Sequence, residues 1–285
     1  MNDQLREITR RVENMPVVSE TPYRLLQLVE RDDYAIAEII KIVETDVSLT
    51  TRCLTVVNSA AFGLPRTINS IRQAVVFLGS RMLVKLAMTQ AFKSFFQISM
   101  VGYGAKPGEF WEHSVRTAVG ARLVAQELIP DVAPDLAYTA GLLHDMGKAV
   151  ISEFLEKHQQ HLLTEMQRQE SGDFLEIERR VLGTDHTRVG EAMAEKWRLP
   201  ESLQMVIRYH HHPSLVSNGF GGLIQAAHLA DLLAMIGGAG TGLDTLAYQF
   251  DEKLKQKLKL DRQILADLVY KSDMEFLTLR KKFDF

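Results

Sequence analysis

The segment LLHDMGK, residues 142–148, places an aspartate directly after an apolar run. Such a run is typical of a helix that enters a core, where an aspartate is almost never fully buried unless it is paired or bound to a metal ion. His144 and Asp145 therefore need partners from elsewhere in the chain. Any fold that this sequence adopts has to bring those partners together around residue 145.

Apolar residues recur at helical spacing in most of the sequence, and alternation of apolar and polar residues, the pattern of half-buried strands, is absent. The early part of the pattern consists of Leu25, Leu26, Leu28, Val29, Ile36, Ile39, Ile40 and Val43. Further helices are predicted near 109–129, 135–148, 150–171, 173–183, 185–197, 200–211 and 220–236. The fold class is therefore predicted to be all-α, a multi-helix bundle with an N-terminal helical lobe.

The composition and charge of the chain limit its expected partners and location. The 285 residues are 46% hydrophobic with a formal net charge of −3, so neither nucleic acid nor an acidic membrane is an expected partner. The longest apolar run, GGLIQAAHLADLLAMIGGAG, contains His228 and Asp231 and is bounded by glycines, so no membrane span is predicted. The single cysteine and the polar first residues, MNDQLREITRRVENMP, favour a cytoplasmic protein over a secreted one.

A glycine-rich linker, GYGAKPGE at 102–109, divides the sequence, and all nine histidines follow residue 112. We expect an N-terminal helical lobe at 14–104, a histidine-bearing lobe at 105–233 and a helical C-terminal extension at 234–285. The basic stretches of the extension alternate with acidic residues, as in a solvated helix, which gives no support for a nucleic-acid surface.

Several histidines lie next to carboxylates in the sequence. Glu109 and His113 are four residues apart and share one face of a helix, and His228 and Asp231, three apart, can do the same. Imidazole and carboxylate groups from several helices suit iron, manganese or zinc. Two such ions bridged by a carboxylate, with Asp145 as the natural bridge, can ionise water near neutral pH.

The order of the histidine motifs resembles that of the HD metal-dependent phosphohydrolase superfamily: HSVRTA, AGLLHDMGK, GTDHTRVG, YHHHP and AAHLADLLA. The first part, VETDVSLTTRCLTVVNSAAFGLPRTINSIRQAVVFLGSRML, resembles the HDOD family, the HD-related output domain of bacterial signalling proteins. The two similarities extend over residues 14–233, the expected extent of an HDOD domain. They imply an all-helical, HD-like bundle.

The resemblance also implies a set of site residues. The superfamily motifs imply a metal site built from His113, His144, Asp145 and Asp231. Similarity to the HD-GYP phosphodiesterases adds Glu109, His186, His210 and His211 as ligands, and implies catalytic roles for Asp145 and for Lys148, which would approach a substrate phosphate. The sequence retains all of these residues, whereas many HDOD members lack some of them. The Gly-Tyr-Pro loop for cyclic di-GMP is absent from HHHPSLVSNGFGG, so hydrolysis of that nucleotide is not expected.

Some of these residues have a simpler structural interpretation. His186 can lie in the first turn of a helix that is capped by Thr184 or Asp185. Asp231 can cap a helix or form an ion pair. His212 is expected to be a bystander, because three consecutive histidines cannot all point inward from one helix.

Two functions fit the whole pattern. The first is a regulatory output module that binds one or two divalent ions and relays a signal through a separate protein partner, a role that requires no turnover. The alternative is a metal-dependent phosphohydrolase acting on a phosphoester or nucleotide. Because a fold does not fix an activity, the HDOD resemblance makes the regulatory function our first expectation.

Overall fold

The computed structural model describes residues 3–15, 20–31, 33–167, 173–217 and 219–283. Over these ranges the chain consists of helices, short 3₁₀ turns and loops, with no strand beyond an isolated bridge between Met100 and Ala105. The predicted all-α class is confirmed. None of the helices in the described ranges has the combined length and hydrophobicity needed to cross a membrane.

The helices before the linker are α1 (Asp3–Glu13), α2 (Glu20–Glu30), α3 (Ile36–Glu44), α4 (Val47–Val57), α5 (Ile71–Leu78) and α6 (Ser80–Phe96). Those after it are α7 (Glu109–Leu128), α8 (Pro134–Leu143), α9 (Lys148–Lys157), α10 (Gln159–Gln167), α11 (Phe174–Leu182), α12 (His186–Lys196), α13 (Glu201–Tyr209), α14 (Gly221–Ile236), α15 (Glu252–Lys257) and α16 (Arg262–Phe283). Helices α2 and α6 join the two groups by packing on α8, and α1 packs on α9 and α12.

Helices α7, α8 and α14 form the densest part of the bundle because small residues let their backbones approach. A Cβ atom on Gly120 of α7 would lie 3.1 Å from the Ala230 side chain of α14. A Cβ atom on Gly141 of α8 would lie only 2.6 Å from the Thr117 carbonyl oxygen of α7. These contacts bring the helices that carry His113, His144 and Asp231 side by side.

The helix predicted over 135–148 is interrupted, since α8 ends at Leu143 and residues 144–147 form a turn before α9. The His144 ring Nδ1 lies 2.8 Å from the Gly141 carbonyl oxygen, which the amide of residue 145 takes in a continuous helix. The turn also packs tightly on α12, because a Cβ atom on Gly147 would lie 1.9 Å from the His186 carbonyl oxygen. The glycine therefore allows α12 to deliver His186 to the turn.

Helix α16 joins both groups of helices through charged contacts. Glu275 accepts hydrogen bonds from Lys85 of α6 at 2.8 Å and from Arg122 of α7. Arg116 of α7 also donates to Asp273. Helix α16 is thereby fixed to the rest of the bundle.

We expect Gly147→Ala to lower the free energy of unfolding by about 1–3 kcal/mol, the usual cost of forcing extra atoms into a packed site. The added methyl group would meet backbone atoms of His186 and Gly190, which cannot move aside independently of α12. Urea denaturation measures the change. Gly219→Ala is the control, because nothing lies within 4 Å of a Cβ atom there. Equal stability of the two variants would contradict the close approach.

Candidate metal centre

The structure brings together seven of the eight predicted metal ligands. Their ligand atoms form overlapping groups in which all members lie within 4.8 Å of one another: His113, His144 and Asp145; Asp145, His186, His210 and His211; and His144, His210 and Asp231. All of these side chains are buried except that of His211, which is half-buried. Residues from α7, α12, α14 and the ends of α8 and α13 therefore meet in one interior cluster.

Asp145 lies at the centre of the cluster, and its two oxygens face different imidazoles. Oδ2 is 3.3 Å from His144 Nε2 and 3.6 Å from His113 Nε2. Oδ1 is 3.3 Å from His186 Nε2 and 3.4 Å from His210 Nε2. This is the arrangement that a bridging carboxylate requires.

The cluster can be described as two half-sites that share Asp145. The first half-site comprises His113, His144, Asp231 and Asp145 Oδ2. The second half-site comprises His186, His210, His211 and Asp145 Oδ1.

Distances within each half-site suit one small cation. In the first half-site His113 Nε2 is 3.2 Å from Asp231 Oδ1 and 3.4 Å from His144 Nε2. In the second half-site, His186 Nε2 is 3.1 Å from His211 Nε2. Donors about 2.1 Å from a divalent ion are themselves separated by about 3.0–3.4 Å, depending on whether the coordination is octahedral or tetrahedral. The observed separations fall in or near this range.

Backbone carbonyls hold three of the imidazoles in the orientation that a metal ion needs. The Nδ1 atoms lie within hydrogen-bond distance of these oxygens: His113 with Ala239 (2.7 Å), His144 with Gly141 (2.8 Å) and His210 with Ile207 (3.1 Å). A carbonyl can only accept, so each Nδ1 carries a proton and donates it. The Nε2 atoms therefore point into the cluster, and in the neutral rings they present a lone pair.

His186 is held by Glu178, a buried carboxylate that the sequence analysis missed. Glu178 Oε2 accepts from the His186 backbone amide at 2.7 Å and lies 2.9 Å from His186 Nδ1. The Tyr103 hydroxyl donates to Glu178 Oε1 at 2.6 Å. A signal was present in the sequence, because Glu178 lies three residues after Leu175 and three before Val181, on the apolar face of α11.

Two buried atoms of the second half-site have no hydrogen-bond partner within the described part of the chain: Asp145 Oδ1 and His210 Nε2. Leaving a buried polar atom unpartnered costs about 1–3 kcal/mol, and more for a charged group. The two atoms are 3.4 Å apart, and a cation between them would satisfy both. The donor set therefore fits a divalent metal ion.

The electrostatics of the two half-sites differ. Burial lowers the pKa of His210 to about 4 and that of His211 well below its usual value, so both rings are neutral at pH 7, the form that binds metal. Burial opposes protonation of His144 as well, but the Asp145 carboxylate raises the pKa of His144 to about 10. Without a metal ion, His144 therefore carries a proton that an ion would displace. In the second half-site burial likewise opposes protonation of His186, but the Glu178 carboxylate raises its pKa.

Lys148 is buried at the base of the cluster, with 2% of its surface exposed. Its ammonium group donates to Asp145 Oδ2 at 2.5 Å, to Thr241 Oγ1 at 3.0 Å and to Asp244 Oδ2. These three acceptors use all three N–H groups, so none points toward a substrate phosphate in this conformation. Thr241 and Asp244 were not anticipated, because they lie almost a hundred residues from Lys148.

Glu109 is the predicted ligand that the structure does not bring into either half-site. Its carboxylate accepts a hydrogen bond from the Lys106 backbone amide at 2.7 Å. Glu109 is the first residue of α7 and stabilises the turn that leads into this helix, one turn away from His113. Glu109 thus has a local structural partner.

His228 does not pair with Asp231 around an ion, as the spacing had allowed. Its Nδ1 lies 2.7 Å from the His210 carbonyl oxygen, and its Nε2 accepts from the Asp251 amide at 3.0 Å. Both nitrogens are occupied, so His228 is a core residue that supports the chain at His210. His212 lies outside the cluster, 3.4 Å from Asp173 and partly exposed.

Asp185 fills the cap position that the sequence offered for α12. Its Oδ1 accepts from the Arg188 amide at 3.0 Å and from the Thr187 hydroxyl at 2.6 Å. The two interpretations of His186 are therefore compatible, because the residue opens α12 and also points its Nε2 into the second half-site.

Comparison with known proteins identifies the family. A family model of the HDOD domain matches residues 15–213, so this chain belongs to the HDOD family. An HDOD domain protein with unknown function from Geobacter sulfurreducens is 27% identical and superposes with a TM-score of 0.69, over 98% of this chain and 92% of that one. A protein from Treponema pallidum (strain Nichols) is 27% identical over 234 residues, 79% of this chain and 43% of the relative, so this chain spans less than half its length.

More distant structures share the fold. A proposed signal transduction protein from Marinobacter aquaeolei VT8 is 21% identical with a TM-score of 0.76, over 99% of this chain and 65% of that one. A proposed metal-dependent phosphohydrolase from Shewanella amazonensis SB2B is 17% identical with a TM-score of 0.60, over 99% and 100%. At these identities the similarity establishes the helical architecture.

We expect His228→Leu and His210→Leu to differ in stability when the protein is kept in EDTA. His228→Leu leaves the His210 carbonyl and the Asp251 amide unpartnered, and should lower the free energy of unfolding by about 1–3 kcal/mol. His210→Leu removes one local hydrogen bond, from Nδ1 to the Ile207 carbonyl, but also removes the unpartnered buried Nε2, so it should cost about 1 kcal/mol or less. Urea denaturation of both variants measures the difference. A larger loss for His210→Leu would show that this imidazole has a structural role in the metal-free protein.

Proposed function

We propose that this protein is a regulatory module of bacterial signal transduction whose state depends on divalent metal ions bound at the histidine cluster. The observation that carries the proposal is the pair of unpartnered buried atoms, Asp145 Oδ1 and His210 Nε2, inside a shell of imidazoles. Membership of the HDOD family and the fold shared with the Marinobacter protein support a signalling role. A separate signalling protein is the expected partner.

The ligands that we propose are His113, His144, Asp145 and Asp231 in the first half-site and His186, His210 and His211 with Asp145 in the second. Mixed imidazole and carboxylate donors favour iron, manganese or zinc over magnesium or calcium, which prefer oxygen ligands alone. Ligands from several helices also link occupancy to helix position, because an ion can bind only while those helices stay together. Metal content can in this way act as a signal.

Burial favours regulation over turnover in this conformation. The six buried ligands are between 0% and 3% exposed, and Lys148 has no free N–H group for a phosphate. A substrate would need a path that opens near the half-buried His211.

The shared carboxylate supports the second candidate function, a metal-dependent phosphohydrolase. Two bound ions would supply Lewis-acid chemistry to a phosphoester or nucleotide. Asp145 would hold both ions, and Lys148 would contribute positive charge once it is released from its present acceptors.

We expect wild-type protein to contain about one to two equivalents of iron, manganese or zinc when it is purified without an affinity tag or chelator. Asp145→Asn, which keeps the shape of the side chain and removes its charge, should contain less than about a tenth of that amount. Elemental analysis of protein prepared in air and under anaerobic conditions measures both. Asp267→Asn, at an exposed position on α16, is the control and should match wild type.

Metal-free wild-type protein that takes up none of the three ions on incubation would contradict the proposal. The metal-loaded protein also separates the two functions. Hydrolysis of a generic phosphodiester, bis-p-nitrophenyl phosphate, that disappears in Asp145→Asn would establish the phosphohydrolase. Stable metal content without turnover agrees with the regulatory module.

A further inference from the structure

Asp145 Oδ2 can interact with two positively charged groups: a metal ion in the first half-site and the ammonium group of Lys148. It is 3.3 Å from His144 Nε2 and belongs to the first half-site, and it also accepts a 2.5 Å hydrogen bond from Lys148 Nζ. An ammonium group and a divalent ion would repel each other strongly across one oxygen in a buried site. An ion in the first half-site therefore requires Lys148 to loosen its bond to Asp145.

Lys148 cannot move into water, because it is 2% exposed and enclosed by the protein. A buried ammonium without a counter-ion is costly, so Lys148 can leave Asp145 only if another anion is already in place. Asp244 is such an anion. Its Oδ2 accepts from Lys148 Nζ, and a third acceptor, Thr241 Oγ1, lies 3.0 Å from the same nitrogen.

Asp244 is fixed by contacts that do not involve Lys148. Its Oδ2 accepts from the Thr241 hydroxyl at 2.5 Å, and its Oδ1 accepts from the Thr245 amide at 2.9 Å. The segment that carries it passes close to Tyr103 at Gly242, whose φ of 104° is accessible mainly to glycine. A Cβ atom at residue 242 would lie 2.0 Å from the Tyr103 carbonyl oxygen.

The second half-site has no such competitor. Asp145 Oδ1 and His210 Nε2 accept no hydrogen bond from Lys148 or from any other group in the described ranges. The two half-sites therefore differ in what has to happen before an ion binds. The second offers free donors, and the first has to exchange a lysine for the ion.

We propose that Asp244 is a positioning residue that acts through Lys148 and sets the occupancy of the first half-site. Because Asp244 holds the ammonium group, Asp145 Oδ2 can release Lys148 and bind an ion instead. One ion therefore binds tightly in the second half-site, and another binds more weakly in the first. This inference rests on the proposed metal centre and adds a residue outside the residues matched by the family.

The test is a titration of metal-free protein with Mn²⁺ by isothermal calorimetry, with bound manganese counted by elemental analysis after desalting. Wild type should show a tight and a weaker class of site. Asp244→Asn should keep the tight class and weaken the other by about 10–100-fold, the usual effect of losing a residue that supports a metal site. Asp267→Asn, which changes the net charge equally, should bind as wild type does.

The double variant Lys148→Met/Asp244→Asn separates a role through Lys148 from a merely structural one. If Asp244 acts by holding Lys148, its loss has no effect once the lysine is gone, and the double variant should bind both ions as Lys148→Met does. If the double variant stays as weak as Asp244→Asn, Asp244 supports the fold of the segment and the inference is wrong.

Three other results of the titration would also contradict the inference. Unchanged binding of both ions by Asp244→Asn, or one class of site with a single Mn²⁺ in wild type, overturns the inference and leaves the metal centre standing. Failure of wild type to bind Mn²⁺, iron or zinc overturns the proposed function and the inference together.

Discussion

A buried carboxylate loses its hydration, so hydrogen-bond donors or cations have to replace water around both of its oxygens. The second half of this bundle is arranged around one such group. Asp145 is 1% exposed and sits in a turn, where both of its oxygens are accessible to neighbouring helices. A lysine at the start of α9 donates to its Oδ2, and imidazoles on α7, α12 and the end of α13 surround it and leave its Oδ1 for a cation. The helices could not approach Asp145 so closely with larger residues at Gly141 and Gly147. Packing and charge therefore constrain the same few positions.

Much of the fold and of the cluster could be predicted from the sequence. Helical periodicity predicted the all-α class, and the resemblance of motifs identified seven residues that the structure places together. Periodicity shows which face of a helix is apolar, but it does not show which other segment covers that face. Thr241 and Asp244 were missed for this reason, since a polar pair after a glycine run gives no sign of its buried lysine partner. The break of α8 was missed because a side chain, His144, replaces a backbone amide at Gly141.

The imidazoles of the cluster differ in their hydrogen-bond partners and in their protonation. Three of its imidazoles are supported by neutral carbonyl groups, whereas His186 is supported by the Glu178 carboxylate. A carboxylate makes the ring more electron-rich than a carbonyl does, which strengthens its bond to a cation. Burial, together with repulsion from neighbouring imidazoles, lowers the pKa values of His210 and His211 and keeps both rings neutral, while the charge of Asp145 favours a proton on His144. The ligands around Oδ1 and those around Oδ2 of Asp145 therefore differ in protonation and in how strongly they bind a cation.

The segment after α14 affects where the boundary of this domain should be placed. The family match ends at residue 213, yet Asp231, the carbonyl of Ala239 and the side chains of Thr241 and Asp244 all contact the cluster. A fragment trimmed to the matched residues would expose the base of the cluster to solvent and leave His113 and Lys148 without these partners. The cluster and its supports form one structural unit that runs from Tyr103 to Asp244. Recombination between related proteins would have to exchange that unit whole to keep its interior intact.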